Sequence, residues 1–560
     1  MMSALLLATL LPVDFPAPTP ETKPWGICHC LGNAIEPAEL EKEMARWADA
    51  GLGGVRLIPI YGAKGYESKY VEFMSPKYVE LLKEANRIAA AKGMKVDLSF
   101  GAGWCFGGKA TPPELGAQGL KVLKPGDKEP KRFKVLFEKD GTRLVAYPTG
   151  QKVKRAQALD AGPMLNPFSP AALKAHLTLF KNLDGVEEAY PRATFHDSFE
   201  YYNAGWSDEF PDLFKKYRGY DITDHLAELA GFGEKEAIAK VKADYRETLS
   251  DILVKETFPI WTEWCKERGI LTHNQAHGAP ANLLEFYSIA DTPETEMFGR
   301  GGRDKFTSRF DDRFKEGDRS ILMSKFASSA AHLTGKKSTS AESFTWMAEH
   351  FCETPEETKA FGDLLFLSGV NRLYYHATVY SPDSAPWPGW CFYAASELNP
   401  RNPIWRDIKP LNDYFTRVQS FLAEAVPDND VLLYWPINDQ WTDPEGFESL
   451  MTVHAHWMED IPFGKLARRL WDGGWQFDYV SDSFLTDEIV SRYKAIVVPE
   501  AKVMKPEAIA RLNGLSKKMP VIFEKDGDAI EALKKTSAKP IAGLDGVEAI
   551  RFKWRGGSAY

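Results

Sequence analysis

The residues best suited to chemistry in this chain are acids that stand where apolar runs end. His196-Asp197-Ser198-Phe199-Glu200 closes one run, Asp291-Thr292-Pro293-Glu294-Thr295-Glu296 a second, and Ala341-Glu342-Ser343-Phe344-Thr345 a third. Two carboxyls facing one pocket are enough to break a glycosidic bond: one protonates the leaving oxygen, the other activates water or attacks the sugar. Glu200 is the expected proton donor. Phe199, Tyr201 and Tyr202 flank it, and aromatic surroundings that strip water from a carboxyl raise its pKa toward what a general acid needs. Alternation along a strand would turn Asp197 and Phe199 to one side and His196, Ser198 and Glu200 to the other. The second carboxyl is Glu342, Glu294 or Glu296, and spacing leaves the three open. Asp291 and Glu294, with Glu296 beside them, are also oxygen donors of the kind that hold a calcium ion.

Further polar or aromatic groups stand near the same ends. They are His29 and Asn33, Trp104, Asp197, the group His273, Asn274, Gln275 and His277, then Trp346, and finally His376 and Tyr380. Imidazoles and amides hydrogen-bond sugar hydroxyls. Other chemistries lack their residues. There is no Gly-x-Ser-x-Gly elbow, no His-Glu-x-x-His pair and no phosphate-cradling loop. Cys28-His29-Cys30 has no second Cys/His pair at zinc spacing, so the six cysteines are expected to be buried thiols or to form a single disulfide. The net charge of −9 on 560 residues argues against nucleic acid and anionic membrane as partners. An oligo- or polysaccharide is the expected partner. The 16 Trp, 21 Tyr and 33 Phe suit sugar faces, although most must belong to the core.

To position such acids the chain needs strands that all end on one side, and the order of elements supplies them. Strand signals at Trp25–Cys30, Gly54–Ile60, Lys95–Phe100, Ala193–Phe199, Ile270–Asn274, Tyr287–Ala290, Ser338–Ala341 and Arg372–His376 alternate with amphipathic segments. Two helices open on Ser75-Pro76 and Ser169-Pro170, cap and first-turn pairs. Eight strands with intervening helices predict an α/β fold, a (β/α)8 barrel whose chemistry sits at the C-terminal strand ends. Two β-like runs around Asp140-Gly141, a hairpin signal, predict an insertion over about residues 110–165 after the third strand.

A chain of 560 residues exceeds one core. The barrel is expected over 21–425, and a small doubly wound α/β domain over 426–560. In the latter, strand runs Val431–Pro436, Ala495–Pro499 and Pro520–Phe523 alternate with helical segments Lys465–Trp471 and Pro506–Leu515. It has no Gly-x-Gly-x-x-Gly, which argues against a dinucleotide site. The tail Trp554–Tyr560 shows no closing element, so a chain truncated at its C-terminus is expected. Residues 1–20 carry the apolar run Ala4–Val13 without a basic start, and read as a signal peptide of a secreted or periplasmic protein. No run approaches the length of a membrane helix.

Several segments together resemble glycoside hydrolase family 106, the α-L-rhamnosidases. These are Pro24-Trp25-Gly-Ile-Cys-His-Cys-Leu-Gly-Asn33, Phe73-Met-Ser-Pro-Lys-Tyr78, Gly101-Ala-Gly-Trp-Cys-Phe-Gly-Gly108, Asp197-Ser-Phe-Glu200, Asp291-Thr-Pro-Glu-Thr-Glu296, Ala341-Glu-Ser-Phe-Thr-Trp346 and Gly369-Val-Asn-Arg-Leu-Tyr-Tyr-His376. The likeness spans roughly residues 24–500. It implies an exo-acting, inverting, calcium-dependent hydrolase of terminal α-L-rhamnose or a related sugar in bacterial glycan breakdown, with no organic cofactor. Glu200 matches the acid-bearing strand, and the base remains among Glu294, Glu296 and Glu342. Cys28 and Cys30 stand where bulkier aromatics are expected, and the C-terminal β-sandwich modules of longer relatives are absent. Two rival readings are a retaining β-galactosidase-like glycosidase and a non-catalytic glycan-binding barrel.

Overall fold

The computed structural model describes residues 15–298, 320–347, 350–454, 456–542 and 547–560. Most of the expected leader, residues 1–14, lies outside them. No helix among the described residues is long and apolar enough to cross a membrane.

Eight parallel strands close a barrel. They are β1 Trp25–Leu31, β2 Gly54–Ile60, β3 Lys95–Ser99, β7 Ala193–His196, β8 Leu271–Asn274, β9 Thr292–Phe298, β10 Ser340–Thr345 and β11 Arg372–His376, each beside its successor, with β1 closing on β11. Between β3 and β7 runs a three-stranded antiparallel sheet: β4 Gln118–Leu123, β5 Lys134–Lys139 and β6 Thr142–Pro148. Asp140 and Gly141 join β5 to β6 with φ of 51° and 75°, the left-handed pair of a tight hairpin. β1 and β2 are buried along their whole length and apolar except for His29 and Arg56, because both faces are covered, the usual state of parallel strands. Gly54 is required where β1, β2 and β3 meet: a Cβ there would lie 2.6 Å from the Lys95 carbonyl and from the Trp25 ring. Ser75 and Ser169 cap the helices Pro76–Ala91 and Pro170–Leu177, accepting from the amides of Tyr78 and Ala172.

The sixth and seventh strands differ from expectation. Tyr287 lies in the helix Leu283–Ser288, capped by the Asn282 side chain on the Leu284 amide, and the sixth strand is β9, Thr292–Phe298. Glu294 and Glu296 are therefore strand residues rather than loop residues. β9 contains few apolar residues, yet all but Phe298 are buried. Its inward side chains are charged because the barrel interior is itself polar. Likewise β10 starts at Ser340, so Glu342 sits inside it. The fourth strand stops at His196, which ends the alternation expected to sort Asp197 from Glu200.

Arg56 organises that interior. Its guanidinium donates to both oxygens of Glu294, at 2.6 and 2.7 Å, and lies between the rings of Phe195 and Tyr374, 3.8 and 4.0 Å from their centres. Burial alone would push the Glu294 carboxyl up. Arg56, aided by His273, outweighs it and holds Glu294 well below the usual carboxylate range. His273 Nδ1 lies 3.0 Å from Glu294, and Ser340 donates to it at 2.6 Å. Nearer the barrel's N-terminal end, Arg192 and the Tyr374 hydroxyl both bind Asp97.

The C-terminal sheet is parallel, in the order β14-β13-β15-β16. Its strands are β13 Val431–Tyr434, β14 Phe477–Val480, β15 Ala495–Val498 and β16 Val521–Phe523. β14 is a strand additional to the three expected. The tail, expected to show no closing element, forms a hairpin of β17 Phe552–Trp554 and β18 Gly557–Ala559, with β17 paired to β12 Val426–Pro427. The barrel helix Ile321–Leu333 carries this sheet: its Ser329 and His332 bind the Tyr479 amide and Asp478 of β14. Arg246 is buried and donates to backbone carbonyls of Trp441, Asp443, Glu445, Gly446 and Phe447, binding the loop after β13 to the barrel.

A buried charge stripped of its partner is strongly destabilising. Arg56→Met is expected to cost about 3–5 kcal/mol, read by thermal or denaturant unfolding. Adding Glu294→Gln should recover part of that loss; no recovery in the double variant would show that the pair is not the unit.

Candidate active site

The mouth of the barrel holds a cavity of about 90 Å³, lined by carboxyls of Asp197, Glu200, Glu296 and Glu342, imidazoles of His29 and His376, and the aromatic rings of Trp104, Trp346, Phe392 and Tyr393. Each group is placed by a definite local feature. The loop carrying Asp197 and Glu200 is pinned by the Glu200 amide on Cys105 Sγ, at 3.2 Å, and by the Phe199 amide on the His277 carbonyl. Gly278 lets that loop pass, since a Cβ there would stand 2.5 Å from the Phe199 carbonyl. β10 ends in a bulge with Phe344 and Trp346 at φ of 73° and 55°, left-handed conformations that non-glycine residues seldom adopt. The bulge ends at Trp346, on the cavity wall, whose amide donates to the Ala394 carbonyl. His29 stacks on Phe392 with centres 4.0 Å apart and meets His376 edge-on.

Glu342 and Glu296 are register partners on neighbouring strands. Glu342 accepts from Thr345 Oγ1 at 2.7 Å and from Gln275 Nε2 at 3.0 Å, and His376 Nε2 lies 3.7 Å away. Glu296 is hydrogen-bonded to Glu342, and burial, with the charge of Glu342 beside it, holds its carboxyl well above the usual range. Asp197 is raised for the same two reasons. Of the two hydrogen-bonded acids, Glu296 is thus the one pushed toward its protonated form. His277, 3.3 Å from Glu296 and 3.0 Å from the Tyr287 hydroxyl, is lowered by burial to about 4; His29 and His376 are lowered too. The imidazoles are neutral, so proton traffic belongs to the carboxyls.

Glu200 differs from expectation. It is half-buried rather than sealed among aromatics, and it is paired with Lys154 of the insertion. Burial pushes the Lys154 ammonium down, but the Glu200 carboxylate more than offsets this and the net shift is upward. Tyr202 is exposed, and Tyr201 turns its hydroxyl toward the Phe106 amide and His196.

Several expected site residues are not at the cavity. Glu294 is bound by Arg56 inside the barrel and does not line the cavity. Asp291 accepts from the Thr272 amide and hydroxyl at the opposite, N-terminal end of β8 and β9, so it shares no ion with Glu294. His273 belongs to the Arg56 network. Asn274 binds His196 and the Phe286 carbonyl. Asn33 is fully buried and donates to the Val71 carbonyl. His277 stands behind Glu296, and the Tyr380 hydroxyl binds the Glu36 amide. Cys28, Cys30, Cys105, Cys265 and Cys391 are free thiols. Sequence reasoning missed Lys154, Phe392 and Tyr393. The aromatic density of Trp387–Tyr393 was a usable signal for the latter two, whereas nothing marked Lys154.

Asp197 and Glu296 hold protons in the folded protein at pH values where the unfolded chain has lost them. The folded state then binds more protons, and stability falls as pH rises above the ordinary carboxyl value of 4.5 for Glu. Glu296→Gln keeps a donor toward Glu342 and removes one titration. Its melting temperature should exceed the wild type's by roughly 2–4 °C at pH 7–8, with no gain at pH 4. The same shift at both pH values would contradict a proton on Glu296.

Residues 143–525 match the family model of glycosyl hydrolase family 106, described as alpha-L-rhamnosidase. A putative beta-glucuronidase of Formosa agariphila is 26% identical over 393 residues, 67% of this chain; the chain spans 30% of that relative's length. Among solved structures, a rhamnosidase from Novosphingobium sp. PP1Y superposes with a TM-score of 0.72 at 15% identity, over 97% of this chain and 77% of that one. A beta-galactosidase from the haloarchaeon Halorubrum lacusprofundi gives 0.56 at 17% identity, over 89% and 72%. At such identities these two likenesses speak for the fold alone. The family model covers more than half of the sequence, and the chain belongs to glycoside hydrolase family 106.

Proposed function

We propose that the protein is a glycoside hydrolase that removes terminal α-L-rhamnose from a glycan with inversion at the anomeric carbon. The observation that carries this reading is the meeting of Glu200 from the fourth strand's loop with Glu342 of the seventh strand in one aromatic-walled cavity. Glu200 gives a proton to the glycosidic oxygen. Glu342 takes one from a water that attacks the opposite face, so the bond to the leaving group breaks as the bond to water forms. Glu296, His277 and Gln275 are positioning residues that hold Glu342. Its proton gives Glu296 the role of a donor, leaving Glu342 as the acceptor. Lys154 has to release Glu200 before that carboxyl can carry a proton, and an aglycone entering beside them supplies the displacing group. Trp104, Trp346, His29 and His376 contact the sugar.

The lining does not fit the calcium that the resemblance implies: the four carboxyls are hard oxygen donors, but no three of them bring their oxygens within 4.8 Å of one another. Chelator treatment should therefore leave activity and melting temperature unchanged; a loss of both that calcium restores would return the ion to the reading.

The test of the main assignment is hydrolysis of aryl α-L-rhamnoside. Glu200→Gln and Glu342→Gln should each lower kcat by 10²–10⁴-fold with the fold intact by circular dichroism. Proton NMR of the first-formed product should show the inverted anomer. The retained anomer would favour a β-galactosidase-like double displacement, and binding without turnover in the wild type would favour a glycan-binding barrel.

A further inference from the structure

We infer that the cavity rim carries an anion subsite centred on Arg155, and that the natural substrate bears a carboxylate or sulfate ester on the sugar next to the bond that is cut. The inference rests on the glycosidase reading and adds the substrate class to it. The insertion meets the barrel mouth at an antiparallel bridge: the Trp104 amide donates to the Lys154 carbonyl at 3.0 Å, and the Lys154 amide returns a bond to the Trp104 carbonyl. Gly103 allows this approach, since a Cβ there would stand 2.4 Å from the Lys154 carbonyl and 2.9 Å from Ala156. The next residue, Arg155, is held at φ of 51°, with its carbonyl accepting from the Tyr61 amide at 3.0 Å. A left-handed arginine is costly, and it persists where the surroundings over-determine it.

The side chain that this backbone presents is placed with equal care. The Arg155 guanidinium stacks 4.4 Å from the centre of the Tyr393 ring, and Tyr393 lines the cavity. Tyr393 in turn packs edge-on against Trp346, so the guanidinium extends the aromatic wall outward. Stacking uses its face and leaves the edge N–H groups for a ligand. Arg155 is exposed, and no carboxylate among the described residues forms an ion pair with it. Lys154 of the same segment, by contrast, is paired with Glu200. A planar fork of donors beside the cavity rim matches a carboxylate or sulfate bidentately. The subsite falls on the leaving-group side, because Arg155 directly follows the residue paired with the proposed proton donor.

The experiment compares three glycosides that share the cleaved sugar and differ in the aglycone: a uronate, the same residue after carboxyl reduction, and a sulfate ester of the reduced residue. Wild type should favour one or both charged aglycones over the neutral one, and which one distinguishes carboxylate from sulfate. Arg155→Gln should lower kcat/KM on the favoured charged aglycone by about 10–100-fold, chiefly through KM, and leave the neutral glycoside within about twofold. Arg155→Lys should fall between. Equal loss on charged and neutral aglycones, or no loss on either, overturns the inference. A second readout does not depend on turnover: calorimetric binding of glucuronate, glucose 6-sulfate and glucose to wild type and Arg155→Gln. A charged ligand should bind wild type at least tenfold more tightly than glucose and lose that margin in the variant. Equal binding of all three overturns the subsite even if rhamnoside hydrolysis holds. A margin lost in the variant sustains the subsite even if the sugar assignment fails.

Discussion

The buried pair of Arg56 and Glu294 is the constraint on which the rest of the barrel depends. A charged guanidinium at zero exposure is tolerable only with its charge matched, and here both terminal nitrogens are bound while Nε has no partner. Glu294 matches the charge, His273 and Ser340 complete the carboxylate, and the rings of Phe195 and Tyr374 cover the guanidinium faces. These partners come from β2, β7, β8, β9, β10 and β11, so the pair ties together strands far apart in the chain. It also fixes the register of β9, a strand with little hydrophobic reason of its own to form. Once Glu294 is seated on Arg56, period-two alternation carries Glu296 to the next layer up, into the mouth beside Glu342.

The chemistry of the mouth is a consequence of that stacking. The interior pair is neutral as a unit, whereas the layer above it presents carboxyls with no guanidinium among them. Burial and mutual repulsion leave Asp197 and Glu296 holding protons, while Gln275, Thr345 and Glu296 itself donate to Glu342. Gln275 spans the two layers, donating to Glu294 below and Glu342 above. Acids of one residue type therefore divide into a structural ion and a proton-handling group because one has an arginine beside it and the other has neighbouring carboxyls with no guanidinium to offset them. The insertion contributes the cations that the barrel mouth lacks, one set on Glu200 and one stacked on the aromatic wall.

Strands with two buried faces were legible in the sequence as apolar runs, and so were caps such as Ser75 and Ser169 and the Asp140-Gly141 turn. β9 was not, because Thr292-Pro-Glu-Thr-Glu reads as a loop until Arg56 is placed opposite it. The neighbouring apolar segment Tyr287–Ala290 drew the strand assignment instead, although Asn282 marked a helix start. The same blindness affects polar residues. His273, Asn274 and Asn33 have the composition of a sugar site, yet each is consumed by a buried partner that lies distant in sequence or in another element.

The sequence by itself determined the eight-strand alternation, the position of the insertion, the restart of the pattern near residue 425 and the three acid-bearing segments. Those features are local: periodicity, caps and turn residues act over a few positions. Tertiary structure alone decided which acids share a cavity. Whether a carboxyl is a structural anion, a proton holder or a surface group depends on the charges that the barrel brings within hydrogen-bonding distance. Arg56 and Glu294 stand 238 positions apart, and no local pattern records such a meeting.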